Sequence, residues 1–265
     1  MDFRKKGLFA KIRIPYKHEA IREDRNVKRT AAAVPAEPGS DREDQTLSAV
    51  AYRRLRQDIV SGVFAPRQPL RLELLRQRYG VSFSPLREAL NRLHAERLVV
   101  AAALRGFSVA PVSADEMWDA TETRILIETE ALRRAIANGD DVWESQIVAA
   151  FHALDLQARR ARSNAGSDDD VWLLEARHRE FHHALIANCR SPRLLGLADQ
   201  LHAETQRYRL PSLTGNSRAA KRDIAREHRE IMEAALGRAS DEAVTLLAAH
   251  YRRTAEERAA ALFSD

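Results

Sequence analysis

Between Leu72 and Leu93 the chain ends one short helix and starts another within a few residues, and that interruption narrows the folds open to it. A helix is expected from Leu72 to Tyr79, stopped by Gly80, which takes a left-handed backbone at little cost. Val81-Ser82-Phe83 reads as a turn. Ser84 then reads as the cap of a new helix with Pro85 at its first position, where the missing N–H has no helical partner to lose. Leu86, Ala89, Leu90 and Leu93 recur at helical spacing and form a buried face. Arg87 and Asn91 sit one turn apart on another face.

The flanks complete a pattern. Upstream, Leu47, Ala51, Leu55 and Ile59 repeat every four residues, and Gly62 is a plausible stop. Downstream, residues 98–103 and 107–111 flank Arg105-Gly106, the signature of a β-hairpin with a tight turn. Helix, short helix, turn, capped helix and hairpin is the order of a winged helix-turn-helix. In that unit the second helix of the pair enters the major groove and offers polar residues to base edges and phosphates. The charge agrees. Residues 46–112 carry eleven arginines, no lysine and four acids, or +7, whereas residues 113–265 carry 21 bases and 26 acids, or −5. A basic block of domain size beside a larger acidic one points to an anionic partner for the first. Residues 1–45 mix charge with Ala, Pro and Gly without a period and are expected to form a disordered basic arm.

After residue 112 the pattern is helical only. Ser113-x-x-Glu116 is a capping-box signature and Asn138-Gly139 a stop. Asp141-x-x-Glu144 opens a second helix to about Arg162, and residues 163–169 read as a loop. Further helices are expected near 170–188, 192–209, 217–236 and 241–262. The predicted fold is therefore mainly α: a winged helix-turn-helix over 46–112, then a six-helix antiparallel bundle over 113–265.

The run Tyr79-Gly80-Val81-Ser82-Phe83-Ser84-Pro85-Leu86-Arg87-Glu88-Ala89-Leu90, followed by Leu93 and Glu96-Arg97-Leu98-Val99, resembles the GntR family of bacterial regulators over residues 47–112. The resemblance implies operator contacts from Ser82, Ser84, Pro85 and Arg87 and, at the wing tip, Arg105 and Gly106; Arg71 and Asn91 are further candidate DNA-binding residues. Phe83 stands where the family usually carries arginine, so no contact is carried over there. Phe83 is expected to pack on the first helix, with a touch on a thymine methyl as the alternative.

Seven of nine histidines follow residue 112, and His178 and His182 share one helix face at i, i+4. Scattered histidines are ordinarily surface or satisfied core residues, so spacing alone leaves a metal open. The stretch Arg124-x-x-x-Glu128, Phe181-His182, Glu227-His228 and His250 is similar to the FCD effector domain of the FadR-like branch, over roughly 114–260. That likeness implies a divalent metal, zinc or nickel first, on His182, His228 and His250. His178 stands where members carry aspartate. Two sets stay open: four histidines, or three with His178 displaced. Neutral histidine in place of aspartate would leave the ion's +2 charge whole and favour a more anionic carboxylate effector, such as a dicarboxylate. Arg124 is the expected clamp for it, with Arg209 second. Trp172, Cys189 and Arg207-Tyr208-Arg209 add a likeness to the subgroup holding a glutarate-responsive repressor of carbon-starvation catabolism.

The expectation is a ligand-responsive, homodimeric regulator, most simply a repressor, bound to double-stranded palindromic DNA and not an enzyme. The rivals are a metal-dependent hydrolase, since three histidines with an open position can activate water, and a DNA-binding protein whose metal is purely structural. The longest apolar run, Leu98–Leu104, is far below the ~20 residues of a membrane span. The single cysteine, Cys189, excludes an intrachain disulfide framework. A cytoplasmic location is the default.

Overall fold

The structure is a computed structural model and describes residues 46–102, 106–163, 168–213 and 222–263. The expected arm (1–45), Arg105, most of the 163–169 loop and the expected helix start near 217 lie outside the described residues.

The first half is α1 (Leu47–Val60), β1 (Pro69–Leu70), α2 (Leu72–Tyr79), α3 (Phe83–Ala95), β2 (Val99–Ala102) and β3 (Gly106–Val109). The three strands form an antiparallel sheet in the order β1-β3-β2. The hairpin was expected; the two-residue β1 is too short to show a period-2 signal. Thr46 caps α1 through Ala49 N–H, and α2 ends at Gly80 with φ +68°. Helix α3 starts earlier than expected. Ser82, not Ser84, is its N-cap, so Pro85 is the third helical residue. The first four N–H groups of a helix lack helical acceptors, so proline is tolerated there too.

The expected stripe on α3 is real: Leu86, Ala89, Leu90 and Leu93 have no measurable exposure. They meet Ala51, Leu55 and Ile59 of α1, whereas Leu47 is left at the surface. Asp58 ties α2 to α1, accepting from Tyr79 Oη at 2.7 Å and Arg78 Nε at 2.8 Å. Leu90→Ala should lower stability by about 2–5 kcal/mol, because the site is closed on all sides and cannot collapse into the void. Denaturant unfolding of the full chain measures it; a change under 1 kcal/mol would show that the packing is slack.

The second half holds α4 (Ala114–Asn138), α5 (Asp141–Ser163), α6 (Asp168–Ile186), a 3₁₀ turn (Ala187–Cys189), α7 (Pro192–Leu213), α8 (Ile224–Leu236) and α9 (Ser240–Phe263). These are the six expected helices. Ser113 Oγ accepts from Glu116 N–H at 3.1 Å, and Asp140 rather than Asp141 caps α5 through Trp143 N–H at 2.8 Å. Gly139 is required for space, not for backbone freedom: its φ is −58°, and a Cβ there would lie 1.8 Å from Arg238 Nη1 and 2.5 Å from the Trp143 ring. Arg238 uses that approach to donate to Ile136 and Gly139 carbonyls at the end of α4. Helix α4 packs on α7 and α9, α5 on α6 and α8, and α8 on α9.

One helix belongs to both halves. Leu210 of α7 is fully buried within the apolar core of the winged-helix half. Gln206 accepts from Arg56 of α1 at 2.8 Å, and Arg207 donates to Ala110 O at 2.6 Å. His202, Thr205 and Arg209, on the other side of the same helix, face the interior described next.

Candidate functional site

Three helices bring four histidines together. His178 and His182 come from consecutive turns of α6, His228 from α8 and His250 from α9; one ring nitrogen of each lies within 4.8 Å of the others. His178 is not displaced: its Nε2 is 3.1 Å from His182 Nε2. The outer nitrogens are held from behind. His250 Nδ1 lies 2.9 Å from Glu227 Oε2, and His182 Nδ1 lies 3.0 Å from Tyr251 Oη. Such outer hydrogen bonds fix ring orientation and tautomer and leave Nε2 to the centre.

His228 Nε2 and His178 Nδ1 are buried with no hydrogen-bond partner. A buried polar nitrogen without a partner is costly, on the order of 1–3 kcal/mol each. Burial, reinforced by the neighbouring positive groups, holds His178, His182 and His228 far below the usual imidazole range. Burial likewise brings His250 down to about 4 although Glu227 opposes it. Four neutral imidazoles, two of them with an unpartnered buried nitrogen, are the donor set a borderline divalent cation such as Zn²⁺ or Ni²⁺ takes. The residues fit the group. His183 has no part in the cluster.

Beside the cluster is a cavity of about 380 Å³ onto which His178, His228 and His250 open. Both arginines expected there line it, and both already hold a carboxylate. Arg124 Nε donates to Glu128 at 2.5 Å while its Nη2 reaches Tyr251 Oη at 3.1 Å, all buried. Arg209 Nη2 donates to Glu175 at 2.5 Å. Burial pushes the Glu175 carboxyl up, but Arg209 and His202 outweigh it and bring it to about 2, so it is ionised. Arg222 is bound too, to Glu227, to Thr254 at 3.0 Å and to Glu257 at 3.3 Å.

Arg258, which sequence reasoning missed, differs. It lines the same cavity, yet among the described residues it meets only Glu257, at 3.8 Å, a carboxylate that Arg222 also uses. Burial lowers its pKa, the mark of a guanidinium short of compensation. Tyr251 and Glu227, the outer supports of the histidines, were missed as well. Glu227 had a signal in its place directly before His228; Arg258 had none, being two turns beyond His250 among similar charged residues.

The other expected constellation is on α3. Ser82, Ser84, Arg87 and Asn91 are exposed and Pro85 is half-buried; Arg71 is exposed at the start of α2. No carboxylate lies within ion-pair reach of Arg71 or Arg87 among the described residues. Gly106 opens β3 with φ +77°, a conformation that favours glycine at the hairpin turn. The expected packing of Phe83 does not occur: its ring is 44% exposed at the head of α3, with the Arg76 guanidinium 5.7 Å from its centroid. The early start of α3 explains this, since it places residue 83 on the helix surface rather than in a turn that folds back.

Known proteins match both halves. Residues 47–109 match the gntR family of bacterial regulatory proteins, and residues 119–253 match the FCD domain. An uncharacterised HTH-type transcriptional regulator, BphR of Paraburkholderia xenovorans, is 37% identical over 206 residues, 78% of this chain and 82% of that protein. The HTH-type transcriptional repressor GlaR of Escherichia coli is 37% identical over 202 residues, 75% of this chain and 90% of that protein. Among solved structures, E. coli McbR/YncC superposes with a TM-score of 0.65 at 19% identity, covering 80% of this chain and 97% of that one. A Rhodococcus GntR regulator gives 0.62 at 21%, covering 81% and 98%. These two establish likeness of fold.

Proposed function

Since the chain belongs to the gntR family of bacterial transcriptional regulators and carries an FCD domain, we propose that it is a repressor whose helical half holds a divalent metal and senses a small carboxylic acid. Residues 46–112 are the DNA-binding unit and 113–265 the sensing and dimerising unit. Family and relatives are DNA-binding regulators, which sets the hydrolase reading aside. The observation that carries the sensor reading is the neutral four-histidine cluster opening onto the cavity that Arg258 lines.

A metal bound by His178, His182, His228 and His250 supplies an undiminished +2 charge as a Lewis acid for an effector carboxylate. The chain's own residues do the rest. Glu227 and Tyr251 orient His250 and His182. Glu128 and Glu175 hold Arg124 and Arg209 in place along the cavity wall as charge-balanced pairs. Arg258, with donors to spare, takes a second carboxylate, which makes a short dicarboxylate the favoured ligand class.

Helix α7 offers a route from the cavity to the DNA. Thr205 and Arg209 line the cavity, and Gln206, Arg207 and Leu210 hold the winged helix. An effector shifts the arrangement only by binding one state better than the other. A charged hydrogen-bonded contact is worth about 1.5–3 kcal/mol. Two in a homodimer give about 3–6 kcal/mol, comparable with the roughly 5.5 kcal/mol that moves a population from 1:99 to 99:1. The dimer presents its α3 helices to a palindrome with half-sites about one turn apart. It acts in the cytoplasm, where its DNA lies.

The test is calorimetric titration of zinc- or nickel-loaded protein with acetate, succinate and glutarate, paired with operator release. Dicarboxylates should bind at least tenfold tighter than acetate, and Arg258→Ala should remove that preference while leaving acetate binding intact. Binding of metal without any carboxylate response would reduce the metal to a structural role.

A further inference from the structure

The exposed ring of Phe83 has a place in the DNA reading above. We infer that Phe83 is a base-reading residue that packs against the 5-methyl group of a thymine in each operator half-site. The inference rests on α3 being the helix that enters the major groove.

Position comes first. Phe83 is the first residue of α3, and it lies on one stripe with Arg87 and Asn91 at intervals of four, with Ser82 and Ser84 beside it. That stripe runs beside the buried Leu86, Ala89, Leu90 and Leu93, about 110° round the helix from their mean direction. In a helix-turn-helix the N-terminal residues of the second helix contact base edges. The ring is 44% exposed, and Arg76 of α2, itself paired with Glu73 at 2.6 Å, stands over it at 5.7 Å. A guanidinium over one face of the ring is a favourable cation–π neighbour.

Chemistry then selects the partner. Phenylalanine has no hydrogen-bonding group, so it gains nothing from a phosphate or from the donor and acceptor edges of guanine, adenine or cytosine. The apolar feature that the four standard bases present in the major groove is the thymine methyl. An aromatic residue in this place therefore favours thymine at the position it covers.

The experiment uses the full-length protein and the duplex it enriches from a random-sequence pool. Each thymine in one half-site, with its symmetry mate, is replaced by deoxyuridine, which lacks only the methyl. One position should weaken binding about fourfold per half-site, or roughly fifteenfold for the pair, the value of one buried methyl counted once and twice. Phe83→Ala should bind the parent duplex about as weakly as wild type binds the uracil duplex and should no longer distinguish the two. Phe83→Leu should restore part of the difference. The inference is overturned if no thymine is sensitive, or if Phe83→Ala keeps the same sensitivity. If no sequence is enriched at all, the DNA-reading assignment of α3 falls along with it, whereas enrichment without methyl sensitivity removes Phe83 alone.

Discussion

His182→Ala should leave a folded protein that no longer retains a divalent metal after dialysis and no longer responds to carboxylates. His182 is the residue that links the cluster to its surroundings. Its Nε2 faces His178, and its Nδ1 meets Tyr251, whose hydroxyl also serves Glu128 and Arg124. Removing the imidazole deletes one donor and the fixed end of that chain together. Loss of an outer-sphere partner alone costs about 10–100-fold in metal affinity, and loss of a ligand costs more. At a metal concentration 100 times its dissociation constant, the wild-type protein gains about 2.7 kcal/mol of stability, which the variant should lack. Metal content after dialysis and the shift in unfolding midpoint with added zinc or nickel measure both effects. His182→Gln keeps most of the side-chain volume and separates loss of a donor from creation of a void. Nonspecific DNA affinity should survive in both variants, since α3 and its arginines are untouched. A metal content equal to wild type in both would remove the centre from the reading.

How much of this was legible in the residues depends on which force placed each one. Gly80 was legible as a stop because it takes a left-handed backbone, at φ +68°, that other residues adopt at a cost. The buried stripe of α3 was legible because a 3.6-residue period is written directly in the sequence. The start of α3 was not. Both Ser82 and Ser84 suit a cap, and proline is accepted at several positions of a first turn, so local rules did not decide between them. The two-residue error reversed the expected surroundings of Phe83. In the helical half, His178 and His182 were legible as a pair by their spacing, whereas their meeting with His228 and His250 depends on how α8 and α9 pack. The cavity arginines were legible as charges but not as ion pairs: Arg209 finds Glu175 across 34 positions of chain. Arg258 matters because, among the described residues, its one carboxylate is shared with Arg222, a property that no local pattern encodes.

Arg87→Ala carries the second large effect, expected at the operator and nowhere else. Arg87 is exposed in the second turn of α3, has no acidic partner within reach among the described residues, and shares a face with Asn91 and Phe83. A guanidinium left without a partner on an arginine-rich face gains most by meeting an anion or a guanine edge, and it does so with two parallel hydrogen bonds. Loss of such a contact costs about 1–3 kcal/mol. A symmetric dimer loses it twice, so operator affinity should fall by about 2–6 kcal/mol, roughly thirtyfold to more than ten-thousandfold. Metal content, carboxylate binding and thermal unfolding should match wild type, because the side chain is exposed and makes no ion pair or hydrogen bond among the described residues. Titration of the selected duplex at several salt concentrations tells the two uses of the side chain apart. If Arg87 reads a base, the variant loses specific affinity at an unchanged salt slope and tolerates other bases at one position. If it holds a phosphate, binding weakens evenly across sequences and the slope falls by about one unit per half-site. Unchanged affinity at physiological salt would mean that α3 does not face the DNA with this stripe, and the orientation assigned to Ser84, Asn91 and Phe83 would be wrong together.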